Sequence, residues 1–237
     1  MVKVGCCGFP KGRRSYFSQF KLVEVQQTFY KPPLLETVMR WREEAGEEFE
    51  FCLKAWQLIT HPPSSPTYRK AGIVIPQGKE DGYGGFKPTE EVWQAWRKTE
   101  QIAQILKAKV ILFQCPPSFK ESPENVENMS RFFQGVERGN FLFAWEPRGG
   151  WSDSQVRALC EQLDLIHGVD PLERAPLYGR VKYFRLHGGR GYRHVYSDEE
   201  LEELRRMAEG EVYVLFNNLS MYDDALRFIK LVEGTSG

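Results

Sequence analysis

Four side chains that could transfer protons or bind anions stand at the ends of two short apolar runs. Glu146 and Arg148 follow the run Leu-Phe-Ala-Trp, and Arg185 and His187 follow the run Lys-Tyr-Phe. Carboxylates and imidazoles are common proton-transfer groups, and a guanidinium can hold a carboxylate or phosphate with two hydrogen bonds. Glu146 and His187 are therefore candidate catalytic residues, and Arg148 and Arg185 are candidate substrate-binding residues.

Further polar and aromatic side chains follow other apolar runs and extend the set of substrate-binding candidates. They are Lys54, Gln114, Trp151, Arg190, Tyr192 and Asn217. Arg190 belongs to the glycine-rich stretch 188–194, where backbone N–H groups can approach an anion. Trp151 and Tyr192 offer aromatic faces for stacking on a sugar or a base.

Each of these groups also has a structural interpretation. Glu146 and Arg148 could form an internal ion pair, His187 could be a hydrogen-bonded structural histidine, and the glycine-rich stretch could be a flexible surface loop. A metal would need several converging ligands, and no histidine pair has a helical metal-ligand spacing. We therefore assign no metal-binding residue. The sequence requires no cofactor, although it leaves a divalent metal open.

Eight short apolar runs are predicted to form the strands that position these residues. They span residues 2–7, 22–26, 50–55, 110–114, 142–146, 165–169, 181–186 and 212–216. Continuous apolar runs are typical of strands that are buried on both faces, and amphipathic helical patterns fill most gaps between them. The pattern predicts one α/β domain over residues 1–237, a closed (β/α)8 TIM barrel whose strands all end on one face.

One long segment lacks clear periodicity. Residues 61–88 follow the third strand and are crowded with proline and glycine. Loops longer than about 12–15 residues are usually functional or disordered, so we expect a long loop here, either a lid over the barrel mouth or an insertion without function.

Composition narrows the class of protein. The chain has 237 residues, with 32 basic and 32 acidic side chains. This zero formal net charge does not favour a nucleic-acid partner, although a local basic patch stays open. No apolar run has membrane-spanning length, and the N-terminus reads as a strand without a signal-peptide core. We expect a cytoplasmic protein without a membrane partner, and the oligomeric state is not indicated.

Taken together, several segments resemble the YecE-like family, domain of unknown function seventy-two. The matching segments are 23–30, 51–54 with Thr60-His61, 113–119, 145–148 with Trp151, 183–188 with Tyr192 and Tyr196, and 216–218 with Ala225. Gln26 departs from this pattern, since the family usually has asparagine there. The resemblance implies a TIM barrel and supplies no reaction.

The leading hypothesis is an enzyme that uses acid–base chemistry on a small polar or anionic substrate, such as a sugar or a phosphate compound. One alternative is a metal-dependent nucleic-acid processing protein, which would need a metal cluster and a basic rim. Another is a non-catalytic protein that binds a small ligand. Fold analogy alone favours the enzyme, and a fold does not fix a function.

Overall fold

The protein is a closed barrel of eight parallel strands in a computed structural model, which describes residues 1–189 and 191–234. The strands are β1 (Val2–Cys7), β2 (Leu22–Val25), β3 (Glu50–Lys54), β4 (Val110–Gln114), β5 (Leu142–Glu146), β6 (Leu165–Val169), β7 (Lys182–Leu186) and β8 (Val212–Phe216). Each strand pairs with the next one, and β8 pairs with β1 to close the barrel. The predicted TIM barrel and its eight strands are confirmed.

Helices surround this barrel and follow most of its strands. They are α1 (Arg13–Gln19), α2 (Gln27–Tyr30), α3 (Leu35–Ala45), α4 (Gln57–Thr60), α5 (Pro66–Ala71), α6 (Glu90–Leu106), α7 (Pro123–Gly135), α8 (Asp153–Gln162), α9 (Asp198–Met207) and α10 (Met221–Glu233). Ser197 and Glu200 form a reciprocal capping box at the start of α9. No helix separates β6 from β7. Within the described residues, no helix is both long and apolar enough to cross a membrane.

Strand alternation decides which side chains enter the barrel. Cys52, Leu112 and Tyr183 belong to an apolar cluster that is separate from the larger cluster between strands and helices. Side chains two residues apart on a strand share a face, so the residues two positions further toward the carboxyl ends of the strands also point inward. These positions hold Glu24, Lys54, Gln114, Glu146 and Arg185. We call this set the mouth layer.

The long irregular loop expected after β3 is not confirmed. The segment contains α5 and a 3-10 turn at Glu80–Gly82, and Phe86 is fully buried. The Phe86 ring packs against Phe133 with their centroids 5.3 Å apart, and the Tyr68 hydroxyl donates to the carbonyl of His61. Proline and glycine content predicted a long loop, but Phe86 also packs against Phe113 of β4, which ties the segment to the barrel.

A pair of glycines tests whether this segment is packed. Gly84 has a φ of +75° and an added Cβ would lie 2.4 Å from the carbonyl oxygen of His61, whereas Gly78 has a φ of +78° with open space around it. Both alanine variants carry the strain of a positive φ, but only Gly84→Ala also meets backbone. We expect Gly84→Ala to lose about 1–3 kcal/mol more unfolding free energy than Gly78→Ala, measured by urea denaturation. Equal losses would contradict the packing described here.

Candidate functional site

A buried ion-pair network occupies the mouth layer. The guanidinium of Arg185, which is 0% exposed, donates from Nη2 to Glu24 Oε1 at 2.7 Å and from Nη1 to Glu146 Oε2 at 2.5 Å. These contacts join β7 to β2 and β5 across the barrel. An arginine suits this position because its planar fork can bind two carboxylates at once.

The two carboxylates of this network are held ionised. Burial alone would raise the pKa of Glu24, but the charge and hydrogen bonds of Arg185 outweigh it and the pKa lies below its ordinary value. Burial opposes ionisation of Glu146 as well, yet Arg185, His187 and Arg148 bring its pKa well below the usual range. A carboxylate this acidic is a weak base near neutral pH.

Arg148 and His187 connect this network to solvent. Arg148 Nε donates to Glu146 Oε1 at 2.7 Å, and its Nη2 lies 2.7 Å from His187 Nε2. The side chain of Arg148 is 32% exposed, so it can meet a ligand. His187 Nε2 also lies 3.3 Å from Glu146 Oε1. A guanidinium and an imidazole therefore stand side by side above one buried carboxylate.

Both ring nitrogens of His187 face donors. Arg148 Nη2 lies 2.7 Å from Nε2, and the amide nitrogen of Asn217 lies 2.9 Å from Nδ1. A neutral imidazole accepts at only one nitrogen, so these contacts do not fix which nitrogen carries the proton. Burial lowers the pKa of His187, and the charges of Arg185 and Arg148 oppose protonation further, while Glu146 favours it. The imidazole is thus neutral at pH 7 and carries a lone pair on one of its two ring nitrogens.

Asp170 fixes the backbone beneath this imidazole. Its carboxylate follows β6 and accepts from the backbone N–H of His187 at 2.9 Å and from that of Leu172 at 3.2 Å. Burial raises the pKa of Asp170 to about 6, against the effect of these two hydrogen bonds. Asp170 therefore holds the backbone of His187, and its own carboxyl group has a pKa of about 6.

A cavity of about 570 Å³ lies over the carboxyl ends of β5, β6 and β7. The expected residues that line it are Glu146, Arg148, His187 and Tyr192. Glu173 and Arg174 also line it, and the sequence analysis missed them because they lie in an irregular connection after β6 with no periodic pattern. This size and polar lining fit a small molecule.

Other expected substrate-binding residues lie elsewhere. Arg185 was expected to bind substrate, but it is fully buried, donates to Glu24 and Glu146 and does not line the cavity, so the expected direct contact is not supported. Trp151 is 5% exposed and donates to the carbonyl of Phe119, so it supports the wall instead of stacking on a ligand.

Four more expected residues remain. Lys54 belongs to the mouth layer and is 7% exposed, Gln114 is half-buried at the end of β4, and Asn217 lies behind His187. None of these three lines the cavity formed by the described residues. Arg190 lies outside the described residues.

No metal centre is evident in the described part of the chain. Its histidine, cysteine, aspartate and glutamate side chains do not gather in groups of three or more that could hold a metal ion. The carboxylates of Glu24 and Glu146 are instead engaged by arginine. These described residues therefore provide no set of ligands for the metal cluster that a metal-dependent nuclease would need.

The chain matches one family over almost its whole length. Residues 10–235 fit the profile described as "Protein of unknown function DUF72". The UPF0759 protein YunF of Bacillus subtilis is 26% identical over 91% of this chain and 83% of its own length. The crystal structure of a DUF72 family protein from Enterococcus faecalis superposes with a TM-score of 0.74 at 21% identity, covering 98% of each chain.

More distant structures share the fold. D-psicose 3-epimerase, solved in the presence of D-fructose, has a TM-score of 0.59 at 11% identity and covers 98% of this chain and 99% of its own. Endonuclease IV from Thermus thermophilus has a TM-score of 0.53 at 13% identity and covers 98% and 97%. At such identities the likeness shows the barrel and leaves the chemistry to the residues of this chain.

Proposed function

Because this chain belongs to the DUF72 family of proteins of unknown function, its chemistry must be argued from its own cavity, and we propose that it is an enzyme performing acid–base chemistry on a small polar or anionic substrate. The observation that carries this proposal is the neutral imidazole of His187 on the cavity wall, 2.7 Å from Arg148 and 3.3 Å from Glu146. Sugars and phosphate compounds are the substrate class.

The roles of the wall residues follow from their ionisation. The unprotonated ring nitrogen of His187 accepts a proton from a carbon or hydroxyl of the substrate, and the ionised Glu146 beside it stabilises the imidazolium that forms. Glu146 thus acts through its charge and is the weaker base of the two. Arg148, which is partly exposed, binds an anionic or developing negative oxygen, and Tyr192 borders the cavity.

Deuterium exchange tests this proposal without knowledge of the substrate. Ketoses, aldoses and their phosphates are incubated with the protein in D2O, and NMR follows exchange at the carbon next to the carbonyl group. A D-psicose 3-epimerase with this fold makes ketoses a sensible first group. We expect exchange with at least one compound, and His187→Gln, which keeps an acceptor for Arg148, should slow it by about 10²–10⁴-fold.

Two outcomes would replace the proposal by its alternatives. Saturable binding of a compound, with no exchange and no chemical change, would favour a non-catalytic binding protein. Cleavage of single-stranded or duplex DNA that depends on added Mg²⁺, Mn²⁺ or Zn²⁺ would favour nucleic-acid processing. Exchange that is equally fast in His187→Gln would remove His187 from the proposed role.

A further inference from the structure

Lys54 is a buried amine that the proton-transfer scheme does not use. It ends β3, and it shares the inward face with Cys52, two residues earlier, whose side chain lies in the barrel interior. Its backbone carbonyl accepts from the hydroxyl of Thr28 at 2.7 Å, and the residue is only 7% exposed. The amine therefore projects into the mouth layer from a rigid position.

No carboxylate neutralises this amine. Within the described residues, no acidic oxygen lies within 4.0 Å of Lys54 Nζ and no hydrogen bond to it is present; its contact is the ring of Phe29, 3.6 Å from Nζ to the centroid. Glu24 and Glu146 are in the same layer but are bound by Arg185. Lys54 is the surplus cation of a layer whose two carboxylates already have partners.

The charge of Lys54 is consequently unfavourable. Burial lowers its pKa to about 7, and the positive charge of Arg185 acts in the same direction. The other titratable groups that act on it are Glu24, Glu146, Arg148, His61 and Cys115. A cation–π contact contributes on the order of 2 kcal/mol when desolvated, which does not replace an ion pair and full hydration.

We propose that Lys54 is a nucleophilic amine that condenses with the carbonyl group of the substrate. The lone pair of the free amine attacks the carbonyl carbon, a C–N bond forms as the carbonyl π bond breaks, and one amine proton passes to the carbonyl oxygen to give a carbinolamine. A further proton from solvent lets that hydroxyl group leave as water, and the nitrogen keeps its remaining proton, which gives a protonated imine. No oxidant or reductant is required.

This assignment narrows the substrate to an aldehyde, a ketone or a keto acid. It deepens the proposed function and rests on it. Lys54 does not line the cavity, so the substrate must extend from the cavity past Glu146 to reach Nζ. A protonated imine there withdraws electrons and acidifies the neighbouring C–H bond that His187 would deprotonate. A buried lysine with a lowered pKa is the form in which this residue serves as a nucleophile, since a protonated ammonium has no lone pair.

Reductive trapping tests the amine directly. The protein is incubated at pH 7 with glyoxylate, a small carbonyl compound with one carboxylate, and sodium cyanoborohydride, and peptide mass spectrometry locates the modified lysines. A solvated lysine amine stays protonated to about pH 10, so we expect Lys54 to be labelled at least about tenfold faster than the exposed Lys107 and Lys120. Raising the pH from 7 to 9 should change the Lys54 rate little and accelerate the two reference lysines.

The contrary results are distinct. Lys54 remaining unlabelled while Lys107 and Lys120 react, or a Lys54 rate that rises with pH as theirs does, would overturn the assignment. The His187→Gln variant separates the two proposals. If its Lys54 is still labelled but the variant catalyses no deuterium exchange, the nucleophilic amine is supported independently of proton transfer by His187. Conversely, deuterium exchange that persists in Lys54→Met would rule out the nucleophilic role of Lys54 and leave the proposal of an acid–base enzyme intact.

Discussion

Arg185→Met should destabilise the protein by about 3–5 kcal/mol at pH 7, the usual cost of removing one partner from a buried ion pair. The substitution leaves two carboxylates, on Glu24 and Glu146, in a layer where the arginine is 0% exposed and donates to both. Methionine fills most of the same space, so the loss reports charge and hydrogen bonding and little cavity formation. Urea denaturation followed by circular dichroism measures it.

The pH dependence of this loss identifies its cause. Arginine lowers the pKa of Glu24 and Glu146, so their stabilising contribution is present above the ordinary glutamate pKa and is lost as the pH falls through the folded values. Without Arg185, burial raises both values, and the carboxylates take up protons on folding. The deficit of the variant should therefore be smaller at pH 5 than at pH 7.

A matched arginine provides the control. Arg131 pairs with Glu127 on the surface of α7, where its side chain is 61% exposed. Arg131→Met should cost no more than about 0.5 kcal/mol, the value of an exposed helical pair. If Arg185→Met cost as little as Arg131→Met, the buried network would not support the barrel mouth as described.

The fold could be predicted from the sequence because parallel barrel strands leave a simple pattern. Strands buried on both faces are continuous apolar runs, and the run 142–146 needed no tertiary information to be recognised. The segment after β3 failed for the opposite reason. Its order depends on Phe86 packing against the distant Phe133, and local composition carries no record of such a contact.

For the candidate site, the sequence indicates which way a side chain points but not how deeply it is buried. Arg185 lies on β7 and His187 follows the end of that strand two residues later, so alternation places both side chains on one face, and Arg185 Nη1 lies 3.3 Å from His187 Nε2. Alternation could not show that Arg185 is fully buried while His187 borders the cavity. Depth depends on which carboxylates converge from β2 and β5, and that is a property of the closed barrel. An arginine expected to bind substrate is therefore found holding two buried carboxylates of the mouth layer.

Lys54→Met tests the opposite prediction for the other buried cation of the mouth layer. A group whose folded pKa is lowered costs stability, and for Lys54 the cost is complete below about pH 7, where folded and unfolded chains are both protonated. Between pH 7 and about 10 the unfolded chain holds a proton that the folded chain lacks. Wild type should thus gain stability relative to Lys54→Met as pH rises, by up to about 1.4 kcal/mol per pH unit.

Urea denaturation of both proteins at pH 7.5, 8.5 and 9.5 gives this slope. Lys3→Met is the control, because Lys3 binds Glu50 and Tyr213 at the other end of the barrel. Burial alone would lower the pKa of Lys3, but these hydrogen bonds raise it well above its ordinary value, so that variant should lose stability without a slope in this range. A flat difference for Lys54→Met would show that Lys54 is charged and partnered in solution.

The two cations of one layer therefore have opposite expected effects on stability. Arg185 stabilises the fold because it forms ion pairs with two carboxylates. Lys54 forms an ion pair with neither of them and contacts an aromatic ring instead. A stable core alone would favour methionine or leucine at position 54. A buried amine that lowers stability is consistent with the proposed nucleophile, because functional groups are where local stability is given up. If Lys54→Met both stabilises the protein and abolishes imine trapping, the same residue is shown to lower stability and to form the imine.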